Sequence, residues 1–129
     1  MSTVTVEIAP GELIDKITIL EIKAERIDDA AKLANVREEL RVLSNTRDLA
    51  LPASAEMARL TAALKAVNEE LWQIEDDIRD CERAGEFGAE FIRLARAVYH
   101  TNDRRSALKR EINLALGSRL VEEKSYQPY

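Results

Sequence analysis

Apolar positions in the second half of the chain keep one period with few breaks. Met57, Leu60, Leu64, Val67, Leu71, Ile74, Ile78 and Cys81 alternate steps of three and four. That is the a/d seam of a helix packed on another helix. Ser54 precedes the run as an N-cap, Glu56 stands in the first turn, and Ala84-Gly85 supplies a C-cap, so the spacing predicts a helix over 54–84. The register returns at Phe91, Leu94, Val98, Thr101, Arg105, Leu108, Ile112 and Ala115, which predicts a helix over 88–116 closed by Gly117. The turn at 86–89 is short, so the two helices run antiparallel as a hairpin. Arg105 then faces the Val67–Asn68 level and Thr101 the Leu71–Trp72 level.

The first half is less regular. Val4, Val6 and Ile8 alternate over residues 3–8, a strand pattern that Pro10-Gly11 ends. A single strand needs a partner; the tail around Leu120 and Val121, or another chain, could supply it. Residues 11–47 read as helix, with a stripe through Leu13, Ile17, Leu20, Ala24 and Ile27 that shifts to Val36, Leu40 and Leu43. Asp28-Asp29 sits at the shift and could cap a second helix, so a kinked helix and a helix pair are both open. Residues 48–53 form a loop before Ser54, with Leu51 held out of the α region by Pro52. Residues 117–129 read as an extended tail docked beside the N-terminal strand. The expected fold is all-α: one domain over 1–129, an antiparallel bundle of three long helices, the first kinked or split, plus a short N-terminal strand with the tail as a candidate partner.

Composition narrows this reading. The chain has 129 residues, four glycines and three prolines, too few breakers for an all-β sandwich or barrel. Charged residues at 33% and short apolar runs leave no transmembrane helix. A net charge of -5 argues against nonspecific nucleic-acid binding, and no Lys/Arg block marks a helix for anionic membrane. The single cysteine, Cys81, rules out an internal disulfide and a multi-cysteine metal site. The first residues have no signal-peptide pattern, so the expected location is the cytoplasm. Residues 54–84 hold eight acids and four bases, and residues 88–116 three acids and six bases, which favours their pairing. Thin rods with 5% aromatics bury little surface alone, so a homodimer is expected, with a further protein partner open.

Few residues suggest chemistry. Asp76-Asp77-Ile78-Arg79-Asp80 is a DDxxD string, but Ile78 holds a seam position within it, so a solvated acidic face is the better reading. Glu21 with Glu25, and Glu69 or Glu70 with Asp76 or Asp77, lack the spacing of a two-helix magnesium site. His100 has no acid at the preceding turn, and Cys81 occupies a seam position with nothing to activate it. No catalytic set, metal site or cofactor is expected. The polar belt Tyr99–Arg105 interrupts the seam of the last helix. An arginine there must be paired or face a cleft. Asn68, Glu69, Trp72, Gln73 and Asp76 are the partners expected across the hairpin. A polar layer that fixes register is one reading. The other is an anion cleft that uses Arg105 and Lys109, with Trp72 as a stacking wall and Asp76 and Asn102 beside them.

Four strings then look familiar together: PGELIDKITILEIKAERI (10–27), LWQIEDDIRDCE (71–82), FIRLARAVYHTNDRRSALKREIN (91–113) and GSRLVEEKSY (117–126). They resemble, over nearly the whole chain, a family of short bacterial helical proteins known only as a domain of unknown function. Members of that family look associated with glycosyltransferase or tetratricopeptide-type proteins of surface polysaccharide pathways. The resemblance implies context and no activity or site residues. Separately, ELIDKITILEIKAERI (12–27) is similar to the first helix of the small all-α chorismate mutases, which are intertwined dimers with a cationic dicarboxylate site. That similarity implies Arg26 and Arg37 as cations. The early arginine of those enzymes is missing where this chain reads Ile8-Ala9-Pro10, and their glutamate falls near Ala50. The fold analogy is kept and the activity is not.

The function expected from sequence is a non-enzymatic helical assembly or adaptor protein, with surface polysaccharide synthesis as its context. The alternative is a small enzyme or binding protein for an anionic metabolite, such as a sugar nucleotide, held in a cleft around Arg105.

Overall fold

Four helices form where caps and apolar spacing agree: α1 (Pro10–Arg26), α2 (Ala30–Ala50), α3 (Ala55–Ala84) and α4 (Ala89–Ala115). They are seen in a computed structural model that describes residues 2–129. Ser54 Oγ accepts the Met57 N–H at 3.1 Å and starts α3. Gly85 ends it in the left-handed region, at φ 69°, where a residue with a Cβ is strained. The Glu86 N–H returns to the Cys81 carbonyl at 2.9 Å and closes the turn.

The segment expected as one helix or two, residues 11–47, is two. The backbone is extended at Ile27, and the Asp29 carboxylate accepts the Lys32 N–H at 2.9 Å to start α2. α2 runs on to Ala50, three residues past the expected end, and stops at Leu51, which is extended before Pro52.

Two expectations need correction. The fold is a four-helix arrangement, and no strand forms among the described residues. Residues 3–8 are not in a ladder; Val4 and Val6 are 85% and 67% exposed. The tail, the candidate partner, instead lies along α4, held by Glu123 on Arg110 at 3.1 Å and Lys124 on Asp103 at 2.6 Å. One side-chain pair, Arg119 with Glu7 at 2.9 Å, joins the tail to the N-terminal segment. Alternation alone makes no strand when no second backbone supplies the hydrogen bonds.

α3 and α4 pack as the antiparallel hairpin, with Glu70 opposite Arg104 at 2.7 Å. α1 lies against both of them and against α2, whereas α2 packs on α1 alone. The central position of α1 follows from its composition. Leu13, Ile14, Ile17, Leu20 and Ile22 are all buried, an apolar face wider than one neighbour covers, while Lys16, Glu25 and Arg26 stay exposed. Ile14 joins Met57, Leu60, Leu64 and Ile112 in the core cluster. α2 buries only Val36 fully. Among the described residues, no helix is long and apolar enough to cross a membrane.

Candidate functional site

The N-terminus of α1 meets α4 at close range. α1 has no side-chain N-cap of its own. The Gly11 N–H instead donates to Asn113 Oδ1 on α4 at 2.7 Å, so a buried asparagine 102 positions away satisfies an orphan donor of the first turn. Glycine permits this approach: a Cβ at Gly11 would lie 2.4 Å from the Lys109 carbonyl oxygen.

One turn further along, Asp15 is 1% exposed. Its carboxylate accepts two hydrogen bonds from Arg105, one from Nε at 2.9 Å and a shorter one from Nη2. Asn68 Nδ2 donates to Asp15 Oδ1 at 2.9 Å and is 3.0 Å from Thr18 Oγ1, whose hydroxyl donates to the Asp15 carbonyl at 2.9 Å. Lys109 Nζ lies 2.8 Å from Glu12, 2.9 Å from Glu122 and 4.0 Å from Asp15. The layer thus ties α1, α3, α4 and the tail together. No buried side-chain polar atom among the described residues lacks a partner, the condition under which a buried polar layer is tolerable.

Burial acts to raise the Asp15 carboxyl. Hydrogen bonds from Arg105 and Asn68, with the charges of Arg105 and Lys109, outweigh it and hold Asp15 below the usual carboxylate range. Burial acts to lower Lys109, and its bonds to Glu12 and Glu122 reverse the sign, leaving it above the usual ammonium range. Arg105 is raised as well, chiefly by its hydrogen bonds to Asp15. Two cations, Arg105 and Lys109, face three carboxylates, Asp15, Glu12 and Glu122. An anionic ligand would meet cations whose charge these carboxylates already balance.

Beside this layer, the tail arches over α4 and encloses an open cavity of about 1050 Å³. Arg105 and Asn102 line it together with Asp103, Glu122, Glu123 and Lys124. Asp103 anchors the end of the tail, accepting from Lys124 Nζ at 2.6 Å and from the Tyr129 hydroxyl. The Tyr129 ring packs against Tyr99 and His100, with centroids 5.2 and 4.6 Å away.

The residues proposed for a cleft divide into two groups. Arg105 and Lys109 share the ion-pair layer, and Asn102 lines the cavity with Arg105. Trp72 and Asp76 do not line that cavity. Trp72 sits under the Arg26 guanidinium, 5.9 Å from the ring centroid, and Asp76 is exposed. The other acids suggested for metal are engaged elsewhere or solvated: Glu21 and Glu25 flank Lys65 at 3.9 and 2.6 Å, Glu70 pairs with Arg104, Asp77 accepts from Gln73, and Asp80 pairs with Arg83. Arg37 is exposed on α2, away from the layer. Cys81 is a buried free thiol; burial pushes its pKa up and the nearby acids Glu86 and Glu90 add to this, which opposes a thiolate nucleophile. Of the partners expected for Arg105, Asn68 joins the network through Asp15, and the carboxylate itself comes from α1. Asp15, Glu12, Thr18 and Glu122 escaped the sequence reading. Their one local signal is Asp15 within the apolar run of α1, where an acid must meet a cation.

Residues 4–129 match the model of DUF6165, a family of unknown function. The chain belongs to that family. No curated protein and no solved structure matches it. The stretch PGELID at the start of α1 carries Gly11, Glu12 and Asp15, so in this member of DUF6165 it builds the contact between α1 and α4.

Proposed function

We propose that the protein is a non-enzymatic helical assembly or adaptor protein, in which the polar belt locks the bundle and binds no substrate. The observation that carries this reading is that both cations suited to an anion, Arg105 and Lys109, are already engaged by carboxylates of the same chain. The free buried thiol of Cys81 suits a reducing, cytoplasmic setting. A setting beside surface polysaccharide synthesis rests solely on the family resemblance in the sequence. A second reading, a binding protein for an anionic metabolite, is favoured by one observation: Arg105 and Asn102 line the cavity under the tail.

Calorimetric titration with inorganic phosphate and UDP-glucose separates the two. Trp72 fluorescence would be a poor probe, because that ring lies outside the cavity. The adaptor reading expects no binding tighter than about 1 mM. A Kd of about 10 μM that is lost in a folded Arg105→Met variant would establish the second reading instead.

A further inference from the structure

α1 fills the groove between α3 and α4 for only part of its length. It covers Leu64, Arg105 and Ile112 through Ile14 and Asp15, and it ends at Arg26, over Trp72. Past that level the hairpin continues for about 12 residues of each helix, roughly 18 Å, and no third helix packs there. Side chains in this arm report the missing cover. Leu71, Ile78, Phe91 and Val98 share the heptad position of Leu64, Arg105 and Ile112, on the side that α1 covers lower down, and all four are only half-buried. Cys81 and Leu94, at the other seam position, are buried. Ile92, 56% exposed, extends the apolar strip outward on the same side. The tail reaches only the lower end of the strip, where Val98 and Tyr99 line one cavity with Tyr126 and Tyr129, and leaves Ile78, Phe91 and Ile92 beyond it.

Two further observations bear on what would cover this strip. The chain exposes 8867 Å², against about 6,900 Å² for a folded monomer of its mass. The extended ends account for part of the excess, yet the difference is more than twice the roughly 800 Å² per partner that a stable interface buries. The arm is also electrically polar: residues 73–84 hold five acids and two bases, and residues 89–100 one acid and two bases. A two-fold axis across the arm sets the acidic helix of one copy over the more basic helix of the other.

We propose that the distal half of the α3–α4 hairpin is a self-association surface, on which a second copy of this chain packs its own arm to form a four-helix bundle. The inference rests on the assembly reading above and gives it a location. Light scattering on a sizing column, with the full chain loaded over about 1–100 μM so that a micromolar Kd is bracketed, tests it. Wild-type protein is expected at twice 14.6 kDa. Ile92→Glu is expected to weaken the dimer at least tenfold without altering the thermal melt of the monomer, because Ile92 is exposed there. Leu114→Glu, at a 61% exposed position on the far end of α4, is expected to leave the dimer intact. A wild-type monomer overturns the inference and leaves an adaptor for other proteins. A dimer indifferent to Ile92→Glu, or equally weakened by Leu114→Glu, overturns the location and leaves the assembly reading standing.

Discussion

Gly11→Ala tests how α1 is seated. Helix propensity alone predicts that the change stabilises the protein, by up to about 1 kcal/mol. The packing predicts the opposite. The added Cβ would lie 2.4 Å from the Lys109 carbonyl oxygen, 2.8 Å from Asn113 Oδ1 and 3.0 Å from the Lys109 carbonyl carbon. Two of these atoms are backbone, so no rotamer change relieves the clash, and α1 must move off α4 by close to an ångström. Overpacking of this kind costs about 1–3 kcal/mol. Moving α1 also stretches the Gly11–Asn113 hydrogen bond, 2.7 Å long and buried, at about 1 kcal/mol more. With the propensity gain subtracted, a net loss of about 1–3 kcal/mol is expected. Urea denaturation followed by helical circular dichroism measures it as a shift in midpoint at constant slope. A variant as stable as wild type, or more so, would refute the seating described here.

Three further outcomes are expected. Asp15 lies below its usual pKa, so its contribution is present above about pH 3.9 and lost as pH falls through its folded value; Lys109 lies above its own, so its contribution is present below about pH 10.4 and lost as pH rises through its folded value. Stability measured against pH should fall away at both ends, and Asp15→Asn should make the acid limb shallower; an unchanged limb would remove Asp15 as one of its sources. Ser54→Ala removes the side chain that accepts the Met57 N–H and should cost about 1 kcal/mol in the same urea assay. Asp76→Ala, at an exposed position, should change stability by no more than about 0.5 kcal/mol; a larger loss would mean that Asp76 has a structural partner.

The hairpin was legible in the sequence because its information is local and periodic. One seam with steps of three and four, a serine before it and a glycine after it determine α3, and the short turn determines how α4 returns. The helix break was half legible: Asp29 offered a cap, but only the packing of α2 back onto α1 decides between a kink and a turn. The strand pattern at Val4, Val6 and Ile8 was real and insufficient, since a strand exists only with a partner. The layer was the least legible part. Asp15 lies 53 residues from Asn68 and 90 from Arg105, and no spacing rule connects positions so far apart. The one local clue was Asp15, placed between Ile14 and Ile17 on the apolar side of α1. An acid on that side of α1 had to meet a cation, and the interrupted seam held two.

The central claim is that Arg105 belongs to Asp15 and to no ligand. A double-mutant cycle with Asp15→Asn and Arg105→Met, read by urea denaturation, tests it most directly. Asp15 is almost wholly buried while the Arg105 side chain keeps 29% of its exposure, so the pair is expected toward the low end of buried charge pairs. Each single variant should lose about 2–3 kcal/mol, and the coupling energy should be about 2 kcal/mol. A coupling below about 0.5 kcal/mol, with Arg105→Met as stable as wild type, would contradict the claim and return Arg105 to the cavity as a binding residue.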